Sequence, residues 1–390
     1  MASHRRLGHP PHAADIEIEK RSHLLQGLRR IVVKVGSGLI AEPGSGLVEA
    51  HLERLADDVA SLLEKGLEVV LVSSGAIAAG TARLGLRERP HSIPEKQAAA
   101  AVGQSALMWS YERAFGRFGR GVAQVLLTQD DLSHRPRYLN ARNTLLALLG
   151  YRVLPVVNEN DTVAVEEIKV GDNDNLSAVV AHLVDADLLV ILTDIDGLYD
   201  VDPRRNPSAR RIEQVEAVTP ELERLIWDGE SGTGGMRTKL QAAQKVMTAG
   251  IPLIIADGQP SGVLARIVAG DPIGTVFLPR GDRLAARKRW IAFALPPQGF
   301  LQLDEGAWRA LAERGKSLLP SGVVGVSGEF SAGDAVGLLD PAGREFARGL
   351  VNYEAREVEQ IRGARSVEIE SRLGYKAFDE IIHRDNLVLL

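Results

Sequence analysis

The sequence predicts an α/β fold, a mainly parallel sheet sandwiched by helices, followed by a small, mostly β, barrel-like domain. From Arg30 onward, short apolar runs alternate with amphipathic helical stretches, which is the pattern of repeated βαβ units. The short runs are apolar almost throughout, as expected for strands that helices cover on both faces. After about Arg280, short strands follow one another at close intervals with glycine turns, which is typical of a small β module.

In the first domain the apolar runs predict six strands. The stretches between them include residues 47–66 and 239–250, which are amphipathic and each end at glycine, a helix C-cap signal. Ligands of such sheets bind beyond the carboxyl ends of the strands, so we expect the chemistry there. The predicted strands are residues 31–35, 68–73, 122–127, 153–157, 188–193 and 252–256.

The chain divides into four predicted segments. Residues 1–27 carry four of the nine histidines and lack an apolar centre, so they indicate a disordered tail rather than a secretory signal. Residues 28–280 form the α/β domain, and residues 281–298, which are basic and then rich in proline, form a linker. The β module covers residues 299–380.

Composition excludes several classes of protein and site. The chain has no cysteine, which excludes disulfides, a thiolate nucleophile and cysteine-ligated zinc. Its formal net charge of −5 gives no sign of a protein that coats nucleic acid or a membrane surface. No apolar run approaches the roughly 18 residues of a membrane span. The sequence therefore predicts a cytoplasmic protein without membrane association.

Residues suited to anion binding follow the first two strands. Lys34 lies inside the apolar strand of VVKVGSG, where a lysine is costly unless its charge is used or its side chain snorkels to the surface. Gly36 and Gly38 let backbone N–H groups approach an anion. After the second strand, VSSGAIAAG opens into a helix whose N-terminus, beginning near Ser74, suits a carboxylate or a phosphate.

Two groups of Asp and Asn residues follow the fourth strand. One is NEND at 158–161, and the other is GDNDN at 171–175, which precedes an apolar helical run. The second group can be a helix cap with a turn before it. One Asp or Asn suffices for such a cap, so the presence of four also indicates a binding site. Asp can accept hydrogen bonds from a ligand's ammonium, and Asn and backbone amides can donate to its carboxylate. Together the two groups suit a ligand that carries both charges.

Two further segments suit a nucleotide. The fifth strand ends in TDIDGLYD at 193–200, where glycine comes too early for an EF-hand calcium loop and a wide polar loop fits better. SGTGGMRTK at 231–239 places a glycine-rich turn and Lys239 at the head of a long helix, as phosphate sites do. The chain has no Walker loop, and no G-x-G-x-x-G motif follows its first strand.

These motifs together resemble the amino-acid kinase family, and within it the glutamate 5-kinases. They occur in the family's order over nearly the whole chain from about residue 30, and NEND with GDNDNLSA is especially specific. Aspartokinases and acetylglutamate kinase share the lysine strand but usually follow it with a Gly-Gly pair, where this chain has Gly36 and Ser37. The matching motifs are KVGSG, VSSGAIAAG, QAAAAVGQ, LLTQDD, LNARNTL, PVVNENDTVAVEEIKVGDNDNLSA, LTDIDGLYDVDPRRNP, GTGGMRTKLQAA and RKRW.

The resemblance implies ATP-dependent phosphorylation of the γ-carboxylate of L-glutamate, the first step of proline biosynthesis. It assigns Ser74, Asp161 and Asn173 to glutamate. The residues it assigns to ATP are Lys34, Thr193, Asp194, Thr233, Gly234, Gly235, Met236, Arg237, Thr238 and Lys239.

Catalysis of this reaction is expected to rest on positioning and charge, because a carboxylate is already ionised at neutral pH and needs no general base. We expect Lys34 and Lys239 to neutralise the transferred phosphoryl group. Asp174 is the candidate that orients both lysines through paired hydrogen bonds. Mg²⁺ would bridge the ATP phosphates with few or no protein ligands, so no metal-ligating residue is predicted.

Partners follow from the same resemblance. Residues 128–143 resemble the family's loop linked to feedback by proline, and self-association in the family implies a homodimer or homotetramer. The β module resembles a PUA domain, a fold often found in RNA-modifying enzymes, so an RNA-binding or RNA-modifying protein is the alternative function. Between Pro297 and Tyr375, however, 12 acidic and 9 basic residues give a net charge of −3, whereas RNA binders usually present a basic face. A kinase of aspartate or carbamate is a further alternative.

Overall fold

The computed structural model divides the chain into two units. The first comprises residues 1–129, 145–247 and 251–279, and the second comprises residues 130–144, 248–250 and 280–390. The structure describes Arg21 and residues 24–42, 44–88, 90–163, 173–203, 206–224, 235–280 and 297–390. Most of the predicted linker therefore lies outside the described residues.

The helices and strands have the following bounds. The strands are β1 (Arg30–Val35), β2 (Ala41–Glu42), β3 (Gly46–Leu47), β4 (Glu68–Ser73), β5 (Val122–Leu127), β6 (Leu154–Glu159), β7 (Leu188–Thr193), β8 (Leu198–Tyr199), β9 (Arg211–Ile212), β10 (Gln214–Val215), β11 (Leu253–Asp257), β12 (Thr275–Phe277), β13 (Gly299–Leu303), β14 (Val323–Gly328), β15 (Ala335–Leu339), β16 (Glu345–Leu350) and β17 (Leu387–Leu389). The helices are α1 (Glu49–Glu64), α2 (Ala76–Arg83), α3 (Ile93–Gly116), α4 (Gln129–Ser133), α5 (Arg135–Gly150), α6 (Asn173–Leu183), α7 (Pro220–Arg224), α8 (Met236–Thr248), α9 (Val263–Val268), α10 (Glu305–Ala312), α11 (Ala355–Ile361) and α12 (Ile369–Leu373).

The first unit is built around an eight-stranded sheet in the order β10-β12-β11-β7-β1-β4-β6-β5. Neighbouring strands are parallel except that β12 runs antiparallel to β11. The prediction of a mainly parallel sheet flanked by helices is confirmed, and each of the six predicted strands is present with ends that agree within two residues. The sequence reasoning missed β10 and β12, because strands of two and three residues are too short to show a periodic pattern.

The central strands are buried on both faces, which explains their nearly continuous apolar sequences. Every residue of β1 and β7 is buried, and Lys34 is the one lysine in these two strands. The same core includes Leu25, which is only 5% exposed. The predicted disordered tail is therefore wrong at its end, because Leu25 buries its side chain in the core; residues 1–20 lie outside the described residues.

Helices α2 and α3 approach so closely that only glycine fits at two positions. A Cβ atom on Gly80 would lie 1.8 Å from the carbonyl oxygen of Ala99, and one on Gly103 would lie 1.8 Å from that of Ala76. Both distances are far below van der Waals contact, so each glycine is required by the backbone opposite it. The contact fixes the N-terminal turn of α2, which directly follows β4, against the long helix α3.

The second unit contains a five-stranded sheet in the order β14-β13-β15-β16-β17. Its neighbours are antiparallel except for β13 and β15, and its core includes the fully buried side chains of Leu301, Val336 and Tyr353. The prediction of a small, mostly β second domain is confirmed. None of the helices in the described ranges combines the length and the apolar character that a bilayer span requires.

Candidate active site

A pocket of about 470 Å³ lies in the first unit, where the strands β1, β6 and β7 bring their carboxyl-terminal residues. Because neighbouring strands there are parallel, these ends meet at one edge of the sheet, as expected for an α/β ligand site. The turn after β1 and the start of α2 complete the wall. The predicted site residues in the lining are Lys34, Ser74, Asp161, Asn173, Thr193, Asp194 and Lys239.

Asp174, in the first turn of α6, binds both predicted catalytic lysines. The Nζ of Lys34, on β1, lies 2.6 Å from Asp174 Oδ1, and the Nζ of Lys239, on α8, lies 3.1 Å from Oδ2. The hydroxyl of Thr238 donates to Oδ2 over 2.7 Å. The side chain of Asp174 is 1% exposed and those of the lysines are 7% and 6% exposed, so three charges are buried together and compensate one another. The structure thus brings Lys34, Asp174 and Lys239 together.

The two ammonium groups keep Asp174 ionised. Burial alone would raise the pKa of Asp174, but the charges of Lys34 and Lys239, with hydrogen bonds from Lys34 and Thr238, hold it well below its usual range. Burial lowers the pKa of Lys239, an effect that Asp174 opposes and Lys34 reinforces. The group formed by Lys34, Asp174 and Lys239 carries one net positive charge, which suits the phosphates of a nucleotide.

Asn173 is the centre of a hydrogen-bond network beside the pocket. Its Nδ2 lies 2.9 Å from Ser74 Oγ, 3.1 Å from the carbonyl oxygen of Ser73 and 2.9 Å from Asn158 Oδ1. The carbonyl of Ser73 can only accept, so the amide of Asn173 must point its nitrogen there. Its Oδ1 is buried and has no hydrogen-bond partner among the residues that the structure describes.

This orientation corrects the expected role of Asn173. The two hydrogens of its Nδ2 are used by acceptors of the protein, so they are not available to a ligand's carboxylate as the sequence reasoning expected. The group it offers is an acceptor oxygen, which suits an ammonium. The difference arises because the sequence alone does not show that the carbonyl of Ser73 faces this amide.

Asp161 offers a second acceptor to the same pocket. It is 8% exposed, and its Oδ1 is buried without a hydrogen-bond partner in the described ranges. Burial, and then the nearby charge of Glu159, raise the pKa of Asp161 to about 7. Buried acceptors without a donor are costly, so a cationic donor between Asp161 and Asn173 would satisfy both.

The nucleotide residues that were predicted from the sequence fall into two groups. Thr193 ends β7, and its hydroxyl donates to Asp194 Oδ1 over 3.0 Å. Gly235 immediately precedes α8, and its carbonyl oxygen lies 2.8 Å from the hydroxyl oxygen of Thr238, which shares its one hydrogen between this carbonyl and Asp174. Met236, Arg237, Thr238 and Lys239 form the first turn of α8. Thr233 and Gly234 lie outside the described residues.

Sequence reasoning missed two buried polar residues behind the site, Gln104 and Tyr111 on α3. The hydroxyl of Tyr111 lies 2.7 Å from Ser73 Oγ, and Gln104 Oε1 accepts from Asn158 Nδ2 over 2.9 Å. A signal existed, because the helical spacing places both residues on the face that also buries Gly103 and Leu107. A glutamine on such a face predicts a specific buried partner.

Comparison with known proteins agrees with this architecture. The model of the amino acid kinase family matches residues 29–257, and that of the PUA domain matches residues 299–373. A glutamate 5-kinase of Geobacter sp. (strain M21) is 54% identical over 95% of this chain and 100% of its own length. The glutamate 5-kinases of Caldanaerobacter subterraneus subsp. tengcongensis and Moorella thermoacetica are 53% and 51% identical, over 93% and 94% of this chain and 98% and 97% of theirs. The chain therefore belongs to the amino acid kinase family and is a phosphotransferase that carries a C-terminal PUA domain.

Proposed function

We propose that the chain transfers the γ-phosphoryl group of ATP to the γ-carboxylate of L-glutamate, which forms L-glutamyl 5-phosphate and ADP. The observation that carries the proposal is the buried carboxylate of Asp174 between the ammonium groups of Lys34 and Lys239, next to a pocket with two acceptors that lack partners. The names of the similar glutamate 5-kinases support glutamate as the acceptor.

The chemistry needs no proton transfer. A γ-carboxylate oxygen of glutamate attacks the γ-phosphorus of ATP, a new O–P bond forms, and the bond to the bridging oxygen breaks so that ADP leaves with the electron pair. Because the attacking carboxylate and the phosphates are all anions, the main obstacle is their repulsion. Lys34 and Lys239 offset that repulsion, and Asp174 keeps the two ammonium groups oriented.

Glutamate is bound through its charged ends. Its ammonium donates to Asp161 Oδ1 and Asn173 Oδ1, the two buried acceptors of the pocket. Its α-carboxylate lies near Ser74 and the backbone N–H groups at the start of α2, where the helix dipole favours an anion. The γ-carboxylate then extends toward Lys34.

The residues present fit ATP. Thr193 and Asp194, at the end of β7, line the pocket beside Lys239, and the first turn of α8 provides backbone N–H groups for phosphate oxygens. The described residues contain no cluster of three or more histidine or acidic side chains for a metal ion. A Mg²⁺ ion that accompanies ATP would supply additional charge neutralisation on the phosphates.

We also infer that the product enters proline biosynthesis, that proline inhibits the enzyme, and that the chain acts in the cytoplasm as a homodimer or homotetramer. These inferences rest on the resemblance to the glutamate 5-kinases. Titration of proline into the assay below and sedimentation of the purified protein test the inhibition and the assembly.

A hydroxylamine trap tests the reaction, because an acyl phosphate yields a hydroxamate. With ATP and Mg²⁺ we expect a hydroxamate from L-glutamate, and little from aspartate or from N-acetylglutamate, which lacks the ammonium. The Lys34→Ala variant should lose about 10²- to 10³-fold in kcat while it keeps the wild-type fold by circular dichroism. A hydroxamate that forms from another amino acid and not from glutamate would overturn the proposal.

A further inference from the structure

Helix α3 carries two buried polar side chains that do not line the pocket. Tyr111 is fully buried and Gln104 is 9% exposed. They are seven residues apart, so they lie on one face of the helix, about 10.5 Å apart along its axis. Burying a phenol and an amide is costly unless both are hydrogen-bonded to specific partners.

Each of the two side chains binds the end of a different strand. Ser73 Oγ donates to the carbonyl oxygen of Ser74 over 3.0 Å, so in the 2.7 Å contact with Tyr111 it is the phenol that donates. Gln104 Oε1 accepts from Asn158 Nδ2 over 2.9 Å. Ser73 ends β4 and Asn158 lies near the end of β6, so α3 holds two neighbouring strands at the edge where the pocket lies.

Both anchored strand ends converge on Asn173. The carbonyl of Ser73 requires the nitrogen of the Asn173 amide to face it, and this nitrogen then requires Oδ1 of Asn158 opposite it. Asn158 must therefore turn its Nδ2 toward Gln104, which receives it with Oε1. The Nε2 of Gln104 is buried and has no hydrogen-bond partner in the described part of the chain, so Gln104 acts through its oxygen alone.

We propose that Gln104 and Tyr111 are positioning residues of the amino-acid site. Through Asn158 and Ser73 they hold the amide of Asn173 in the one orientation that presents an acceptor to the pocket. The site is then selective for a substrate with a free ammonium, because Asn173 presents its oxygen to that ammonium. In the opposite orientation, the nitrogen of the Asn173 amide would repel the ammonium. This inference rests on the proposed function, since it takes glutamate as the ligand whose ammonium is bound.

Two substitutions of Gln104 separate positioning from packing. Gln104→Met keeps the volume but removes the acceptor, which frees Asn158 to turn and leaves its Nδ2 unpaired. We expect KM for glutamate to rise roughly tenfold, in line with the cost of an unpaired buried donor, while KM for ATP and kcat stay near wild type. Gln104→Glu, whose carboxyl should be protonated at this buried position, keeps an acceptor toward Asn158 and replaces a nitrogen that has no partner among the described residues, so its KM for glutamate should stay within about threefold of wild type.

Tyr111→Phe is the second variant, and it removes only the phenol oxygen. We expect a smaller rise in KM for glutamate, about threefold, because Ser73 keeps its bond to the carbonyl of Ser74. Ser105→Ala is the matched control on α3, because Ser105 is exposed and bonds only within its own helix; its kinetics should not change. Melting temperatures of all variants show whether each is folded.

A double-mutant cycle decides the route of the effect. If Gln104 acts through Asn173, Gln104→Met should add nothing to KM for glutamate in an Asn173→Ala background. An effect that persists in full in that background, or equal rises in KM for glutamate and for ATP, would overturn the positioning role. Wild-type enzyme that uses another amino acid in place of glutamate would overturn the proposed function instead, and the same cycle with that amino acid would then test the positioning role.

Discussion

The binding of glutamate should depend steeply on pH between 6 and 8, because Asp161 titrates in that range. Burial, and to a smaller extent the negative charge of Glu159, raises the pKa of the Asp161 carboxyl to about 7. An ammonium binds the ionised form, so only that fraction of the protein is competent. The fraction is about 0.9 at pH 8 and about 0.1 at pH 6 for a pKa of about 7.

The dissociation constant for glutamate is therefore expected to be about tenfold higher at pH 6 than at pH 8. Isothermal titration calorimetry measures it directly, which avoids the ambiguity of KM as a binding constant. Binding at pH 7 should also release about half a proton per glutamate, because the bound ammonium keeps Asp161 ionised. Repeating the titration in buffers of different ionisation enthalpy measures that proton.

The glutamate side chain does not confuse this test, because its carboxylate has an ordinary pKa of about 4.3 and stays ionised throughout. Nucleotide binding over the same range is the control, and it should change far less than glutamate binding. A dissociation constant for glutamate that is constant from pH 6 to 8, with no proton released at pH 7, would refute the role of Asp161 as the ammonium acceptor.

Three further predictions concern single residues. Lys239→Ala should lower kcat about 10²- to 10³-fold in steady-state kinetics, because it removes one of the two positive charges that face the transferred phosphoryl group. Lys245 is an exposed lysine on the same helix, and Lys245→Ala should leave kcat unchanged. Asp161→Asn should raise the melting temperature of the protein without glutamate at pH 8. The pKa of Asp161 in the folded protein, about 7, lies above its unfolded value of about 3.9, so the ionisation of this carboxyl costs stability as pH rises toward 7. An equal gain in melting temperature at pH 4 would contradict this reasoning. Gly103→Ala should lower the free energy of unfolding in urea by about 2 kcal/mol or more and weaken glutamate binding, because the new Cβ would clash with the carbonyl oxygen of Ala76. Gly116→Ala is the control, because a Cβ there has open space around it, and its free energy of unfolding should stay close to wild type.

Most of the sheet could be predicted because its strands carry their own signal. Runs such as 188–193 are apolar on both faces, and that property is visible in the sequence before any contact is known. The short strands β10 and β12 carry no such signal, since their pairing depends on neighbours distant in the chain. Leu25 was assigned to a disordered tail because a short apolar group beside a polar segment does not reveal which core it joins.

The identity of the site residues could be predicted better than their arrangement in space. Lys34, Asp174 and Lys239 are far apart in the sequence, and their local patterns together with the family resemblance indicated them. The meeting of both lysines on one carboxylate is a property of the fold. The direction of the Asn173 amide could not be predicted, because it depends on a carbonyl of β4 a hundred residues earlier. Gln104 was overlooked because polar residues in a helix are commonly placed at its exposed face.

Asp174 has a consequence for the end of the catalytic cycle. Two lysines without a counter-ion would place two full positive charges beside the nucleotide, and they would hold the departing ADP more tightly than one net charge does. The carboxylate between them cancels one of the two charges and contacts both ammonium groups. The lysines are therefore oriented by a residue of the protein itself, and the product ADP faces one net positive charge rather than two.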